Sequence, residues 1–335
     1  MKVLVTGGCG FIGSNLVHEL SRKGWIVDVV DDLSNGSPYF LRDLPTRYVP
    51  DFSMTASVVK QRTPDQVLVF TVDFANPGIL SLVRQGEYDY IFHLAANPRV
   101  EYSVKFPTLT TEQNLLRTVG LFECASKGSV KKVIFSSTCA VYGDATHLPT
   151  SEDAPTNPNS PYGLQKITCE KFARMMANSH GLETVCLRYF NVYGPRQFGG
   201  SPYSTAITSW THNAYAGRPL RSDGDGTQSR DLVYVGDVVD ANIKAALSQK
   251  KFGGCAYNIG TGVRLTNNDL LSKFKKKFLD VEVENAPWRP GDVMHTEACV
   301  ANAKKDFSFS AKTTIDEGLK QTWEWWEKAK VDNEL

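Results

Sequence analysis

The chain carries a tyrosine and a lysine four residues apart, in Tyr162-Gly163-Leu164-Gln165-Lys166, downstream of a Ser136-Ser137-Thr138 triplet. Four residues is about one helical turn, so both side chains project from one face of a helix. A phenol with a pKa near ~10 is a poor base at neutral pH. A fixed ammonium nearby favours the phenolate and brings that pKa towards the working range. Such a pair can take the proton of an alcohol while a hydride leaves the same carbon for an adjacent acceptor. The spacing alone also describes ordinary solvated helix faces, so the surrounding chain has to decide.

A place for the acceptor is written at the N-terminus. Gly7-Gly8-Cys9-Gly10-Phe11-Ile12-Gly13 follows an apolar strand-like run and opens a helical pattern. In that context Gly7, Gly10 and Gly13 let backbone approach a pyrophosphate at a helix N-terminus, with Phe11 and Ile12 inside the finger. Asp31 ends the next strand about ~20 residues on, where a carboxylate binds both ribose hydroxyls. The same carboxylate repels a 2′-phosphate, so NAD is expected over NADP. Asp32, Ser34, Asn35 and Gly36 in the following turn are grouped with this site. Asp73-Phe74 ends a later apolar run and reads either as an adenine contact or as a plain turn.

The elements that must position these residues alternate between short apolar runs and helical patterns, as in parallel α/β proteins. Strands are predicted at Lys2–Thr6, Ile26–Asp31, Val67–Phe70, Tyr90–Leu94, Lys132–Ser136 and Thr184–Tyr189, and helices at Gly10–Lys23, Pro107–Lys127 and Pro161–His180. Ser160 is the expected N-cap of the tyrosine helix, with Pro161 at its first position. Between Leu44 and Gln66 a helix or loop excursion is expected. Asp231–Val235 and Ala256–Ile259 are expected to return to the sheet as strands. The fold class is therefore α/β, a Rossmann-type doubly wound parallel sheet with a smaller C-terminal α/β lobe.

The 335 residues suffice for one large domain and a smaller companion. A formal charge of +1 offers no electrostatic case for nucleic acid or a membrane surface. The one basic run, Lys273-Phe274-Lys275-Lys276-Lys277, suits a solvated helix face. The 7 cysteines form no CxxC pair, which favours reduced thiols in a cytoplasmic setting and argues against a zinc site. No uncharged apolar run approaches transmembrane length, and the start of the chain reads as a strand rather than a signal peptide.

Several strings together resemble the extended short-chain dehydrogenase/reductases, and among them the nucleotide-sugar 4-epimerases. These are Thr6-Gly7-Gly8-Cys9-Gly10-Phe11-Ile12-Gly13, His93-Leu94-Ala95-Ala96, Phe135 to Gly143, the tyrosine-lysine string, Leu187 to Gln197, Gln228 to Val235, and Arg289-Pro290-Gly291-Asp292. The resemblance implies Thr138, Tyr162 and Lys166 as the catalytic group: Thr138 bonds the reacting hydroxyl, Tyr162 is the base, and Lys166 holds the nicotinamide ribose and tunes the tyrosine. It also places Ala95, Asn114 and Tyr189 in the cofactor site, and Asn191, Arg230, Arg289 and Asp292 on the nucleotide sugar. Arginines suit a diphosphate because their planar fork gives charge-assisted bonds. Surface ion pairs with Asp231 or Asp292 are the competing reading for Arg230 and Arg289. Boundaries are then expected at 1–190 plus 231–260 for the NAD-binding domain, and 191–230 plus 261–335 for the nucleotide-sugar lobe.

The implied reaction is NAD-dependent 4-epimerisation of a UDP-sugar through a transient 4-ketose. Dehydration is disfavoured, because Cys139 and Ala140 stand where the sister dehydratases have acidic residues. Counting from Arg289, Thr296 falls at the family's gate beside the sugar; a small residue there leaves room for an N-acetyl group. UDP-N-acetylglucosamine and UDP-N-acetylgalactosamine are the expected pair, with UDP-glucose and UDP-galactose as a second activity. UDP-glucuronate epimerases or decarboxylases rank second, and a non-catalytic NAD-binding sensor or scaffold is the alternative of another class. A homodimer paired through the helices Pro107–Lys127 and Pro161–His180 is likewise implied by resemblance. Leu115, Val119 and Phe122 suit either that interface or packing on the sheet. Cys139 reads as a packing residue, and Arg99 stays unassigned between phosphate contact and solvent.

Overall fold

The computed structural model describes residues 1–50, 55–198, 205–288 and 293–331. The strands are β1 (Lys2–Thr6), β2 (Ile26–Val30), β3 (Thr46–Val49), β4 (Val67–Phe70), β5 (Tyr90–His93), β6 (Lys132–Thr138), β7 (Thr184–Tyr189), β8 (Asn191–Tyr193), β9 (Leu220–Asp223), β10 (Ser229–Tyr234), β11 (Ala256–Ile259), β12 (Arg264–Thr266) and β13 (Val283–Ala286). The helices are α1 (Phe11–Arg22), α2 (Thr55–Lys60), α3 (Pro77–Arg84), α4 (Val100–Lys105), α5 (Pro107–Thr111), α6 (Arg117–Lys127), α7 (Pro161–His180), α8 (Ala206–Tyr215), α9 (Val235–Leu247), α10 (Asn267–Lys277), α11 (Ala301–Phe307) and α12 (Ile315–Val331). A π turn, Glu112–Leu116, joins α5 to α6. None of the described helices is long and apolar enough to cross a membrane.

Eight parallel strands form the main sheet in the order β11-β7-β6-β5-β1-β2-β4-β3. Their runs are apolar because both faces are covered. Val3 and Val5 pack with Leu16, Leu20, Val238 and Val239 under α1 and α9. Leu4, one residue out of phase, packs with Ile79, Leu121, Phe122 and Ala173 under α3, α6 and α7. Phe122 and Leu115 thus pack on the sheet side. The strand order reverses between β1 and β5, and ligands of such sheets bind outside the carboxyl ends at that point.

Three expectations about the strands change. Ala256–Ile259 does return to the main sheet, beside β7, but the strand expected at Asp231–Val235 does not; it runs Ser229–Tyr234, with Val235 opening α9, and pairs with Asn191–Tyr193 and Arg264–Thr266 in a separate three-stranded sheet. Its polar start, Ser229-Arg230-Asp231, suits a small sheet with one open face better than a layer buried on both. The Leu44–Gln66 excursion contains an unanticipated edge strand, Thr46–Val49, flanked by Pro45 and Pro50. Strand β6 runs two residues further than predicted and so carries Thr138 at its tip.

Candidate active site

The glycine finger has the shape a dinucleotide needs. Gly7 sits at φ +70°, and a Cβ there would fall 2.8 Å from the Ala95 nitrogen, so only glycine lets β1 turn against the end of β5. A Cβ on Gly13 would lie 2.0 Å from the Gly7 carbonyl oxygen, which is how closely α1 packs on the turn. Gly10 caps α1 in extended conformation with no side chain over the helix end, which leaves the first-turn N–H groups facing outward. Asp31 is buried at the end of β2, accepting from Cys9 N and Leu33 N at 2.9 Å each. Burial raises its pKa while those bonds oppose the rise. Asp32 accepts from the Ser34 backbone and hydroxyl, and Ser37 N bonds Cys9 O, so the turn through Asn35 and Gly36 folds onto the finger. A cradle that a Cβ would fill, an open helix end and a buried carboxylate fit NAD. At Asp73 the geometry is that of a turn: its carboxylate accepts from Ala75 N and from Arg117, while Phe74 packs edge-on against His93.

Thr138, Tyr162 and Lys166 come together where β6 meets α7. Ser160 caps α7 through Gly163 N with Pro161 at the first position, and Gly181 ends the helix at φ +70°. Thr138 accepts from Ala140 N at 3.2 Å and stands near enough to the Tyr162 phenol to lower its pKa. Burial pushes the Tyr162 pKa well above the usual tyrosine range, and Thr138 only partly offsets the rise. The expected lowering by Lys166 is not what the protein's own groups produce. The Lys166 ammonium donates to Ser136 O at 2.7 Å and stands 5.9 Å from the Tyr162 ring centroid, over Phe135. Burial takes the lysine itself down to about 8. Cys139 is pushed up to about 11, chiefly by burial, and is no nucleophile at neutral pH.

A buried hydrogen-bonded chain ties the finger to this site. Thr118 Oγ1 donates to Asn114 O at 2.8 Å and therefore accepts from His93 Nε2–H at 2.9 Å. His93 Nδ1 is then the bare nitrogen and accepts from Thr6 Oγ1 at 2.7 Å, whose oxygen accepts from Ala95 N. Burial, then the Lys166 charge, holds His93 neutral with a pKa of about 3. Asn114 lies in the π turn, a feature frequent at functional sites. Its amide is committed to Asn97 N, Asn97 O and Gln165 Oε1.

Thr296 and Asn191 meet: the threonine hydroxyl donates to Asn191 Oδ1 at 3.2 Å and accepts from Asp231 N. Arg230 donates to Ser229 O and Met294 O, close enough to Cys139 for its positive charge to oppose the rise of the thiol's pKa. Asp231 turns away, its carboxylate filled by Thr261, Gly262 and Ala298. Tyr189 donates its hydroxyl to Asn242 at 2.9 Å. Arg289 and Asp292 lie outside the described residues. A cleft of about 670 Å³ between α1 and α9 contains none of Thr138, Tyr162 or Lys166, and is separate from this chemistry.

Sequence reasoning missed the support beneath the site. Glu170 accepts from Arg188 Nε and Nη2 and from Ser137 Oγ, while Arg188 Nη1 bonds Tyr142 OH. The available signal was Arg188 itself, a charge in an otherwise apolar strand that must find a buried partner. Gln165, with bonds to Thr110, Thr111 and Asn114, gave no such signal.

Residues 3–260 match the NAD dependent epimerase/dehydratase family. The UDP-glucose 4-epimerase of Mycolicibacterium smegmatis is 33% identical over 328 residues, covering 97% of this chain and 98% of that protein. Among solved structures, the UDP-N-acetylglucosamine 4-epimerase from Methanobrevibacter ruminantium in complex with UDP-N-acetylmuramic acid superposes with a TM-score of 0.87 at 33% identity, covering 98% of each chain. The UDP-glucose 4-epimerase of Thermotoga maritima with UDP-glucose gives 0.85 at 33% identity, covering 98% of this chain and all of that one, 100%.

Proposed function

The chain belongs to the NAD dependent epimerase/dehydratase family and is an NAD-dependent UDP-sugar epimerase, and from that premise we propose that it interconverts UDP-N-acetylglucosamine and UDP-N-acetylgalactosamine, with UDP-glucose and UDP-galactose as a second pair. The observation that supports the choice of sugar is Thr296: a small residue, joined to Asn191 by its hydroxyl. A small side chain there leaves space for an N-acetyl group. Arg188 is locked to Glu170 and Tyr142, so it offers no cation to a sugar carboxylate, and the uronate reading ranks second.

Bound NAD supplies the hydride acceptor and donor, together with the positive charge of its oxidised ring. Gly7, Gly10 and Gly13 would hold its pyrophosphate, and Asp31 its adenosine ribose. Tyr162 takes the proton of the sugar 4-hydroxyl, with Thr138 bridging the two oxygens. Its raised pKa means that it needs nearby positive charge to act as a base, and Lys166 is the buried cation on its own helix. The tyrosine returns the proton once the 4-ketose has presented its other face, which inverts that carbon. Arg230, with Arg289 and Asp292, anchors the UDP on a lobe comprising 191–230 and 261–335 while the sugar turns. Incubation with each UDP-sugar without reductant, followed by chromatographic separation of the epimers, tests this. Conversion of the N-acetylated sugar supports the assignment; conversion of UDP-glucose alone sinks the Thr296 argument.

A second copy of the chain is proposed on the face where Val100, Val104, Leu109, Leu116 and Leu164 are exposed together on α4, α5, the π turn and α7. Free thiols among the described residues agree with a cytoplasmic location.

A further inference from the structure

The tyrosine helix is fastened to the sheet at its middle and to the loop after β5, through Asn114, near its start. Its middle is held by Glu170 on Arg188 and Ser137, and by Cys169, Ala173 and Met176 in the core. Its N-terminal part, which carries Tyr162, has four attachments: the Ser160 cap, the bond from Tyr162 N to Ser103 Oγ at 3.1 Å, Gln165, and Lys166 on Ser136 O. Gln165 is 3% exposed and lies between Tyr162 and Lys166 in sequence, about 100° round the helix from the lysine. Its Nε2 donates to Thr110 Oγ1 at 3.0 Å and Thr111 Oγ1 at 3.1 Å. Its Oε1 accepts from Asn114 Nδ2 at 2.8 Å.

Asn114 gives this bond its reach. The same amide accepts from Asn97 N at 2.7 Å and donates to Asn97 O at 3.0 Å. Asn97 follows Ala95 and Ala96 at the end of β5, the loop that meets Gly7 of the glycine finger. One amide-to-amide contact, Asn114 to Gln165, therefore links the cofactor side of the site to the helix bearing the base. Gln165, Asn114 and Thr110 are buried, while Asn97 and Thr111 are half-buried, so losing the Asn114–Gln165 contact leaves a buried donor and acceptor with no water to replace it.

We propose that Gln165 is a positioning residue: its side-chain amide sets the rotation of the first turn of α7, and with it the placement of Tyr162 relative to the Asn97 loop. This rests on the epimerase reading above. A misplacement of about 1 Å at a reacting group costs up to about 100-fold in rate.

The test is Gln165→Met, which keeps length and bulk but removes all three bonds, with Gln165→Glu as the conservative variant that keeps the acceptor for Asn114. The expected result is a kcat about 10- to 100-fold lower in Gln165→Met, with KM for the UDP-sugar within about 2-fold and NAD content unchanged. Gln165→Glu is expected to recover part of the loss. A second readout needs no turnover: the 13Cζ resonance of Tyr162 in the NAD-bound protein, assigned by its disappearance in Tyr162→Phe, should move in Gln165→Met. Should that variant fail to fold, Thr111→Val, which removes a single partner, should move the same resonance in a folded protein. An unmoved resonance, or a kcat loss matched by lost NAD and lost folded protein, overturns the proposal. Absence of turnover in the wild type with a moved resonance overturns the epimerase reading and leaves the positioning role standing.

Discussion

Replacing Lys166 with methionine is expected to abolish turnover and yet stabilise the protein at neutral pH. Lys166 is 2% exposed, and burial lowers its pKa from 10.5 to about 8. Below about pH 8 both folded and unfolded chains carry the charge, so the folded state bears the full penalty of burying it. Between pH 8 and 10.5 the folded protein releases this proton while the unfolded chain keeps it, so stability rises with pH across that window. The drop in pKa corresponds to about 3 kcal/mol. Methionine removes the penalty but deprives the Ser136 carbonyl of its 2.7 Å donor, a loss of about 1–2 kcal/mol. The net gain at pH 7 is about 1–2 kcal/mol, and it disappears or reverses near pH 10. Unfolding 335 residues carries an entropy of about 0.7 kcal/mol/K, so Tm should rise by about 2 °C at pH 7. Scanning calorimetry of NAD-stripped wild type and variant at both pH values measures this. A variant no more stable than wild type at pH 7, or a difference independent of pH, refutes the idea that Lys166 is a penalised buried cation.

Gly13→Ala should weaken NAD binding at least about 100-fold by calorimetric titration, because its Cβ meets backbone at 2.0 Å. Gly24→Ala, at φ +72° in open space, should cost about 1–2 kcal/mol of stability and leave NAD affinity unchanged. Thr296→Tyr should lower kcat/KM for UDP-N-acetylglucosamine at least about 100-fold and for UDP-glucose about 10-fold or less; equal losses for both sugars contradict the gate. Glu170→Leu strands the Arg188 guanidinium and should cost about 3–5 kcal/mol, a fall in Tm of about 6 °C. A change under about 2 °C would show that the pair contributes little.

The parts of this molecule that were legible beforehand are those whose chemistry is local. Ser160-Pro161 announces the start of α7 because a cap and a preset φ act within one turn, and the helix runs Pro161–His180 as predicted. Gly7 and Gly13 are legible because only glycine permits the approach they make to Ala95 and to one another. Ser229–Tyr234 misled because alternation shows that a strand exists, not which sheet it joins; that depends on β8 lying alongside. The edge strand Thr46–Val49 is four residues between prolines, too short for a period to show. At the site, the tyrosine–lysine spacing indicated a shared helix face but not the partner of the ammonium. Ser136 O, thirty residues back in the chain, takes it, and no local pattern encodes that contact. Gln165 was invisible for the same reason, since its partners lie 51 to 55 residues away.

The central claim is that one hydride leaves carbon 4 of the sugar and returns to it within a single binding event. Incubating the protein with a UDP-N-acetylhexosamine deuterated at carbon 4, in ordinary water and without reductant, tests it by mass spectrometry of the separated epimers. The product should keep its deuterium at carbon 4, and Tyr162→Phe should give no product. A product that has exchanged the label for solvent hydrogen would rule out return of the same hydride.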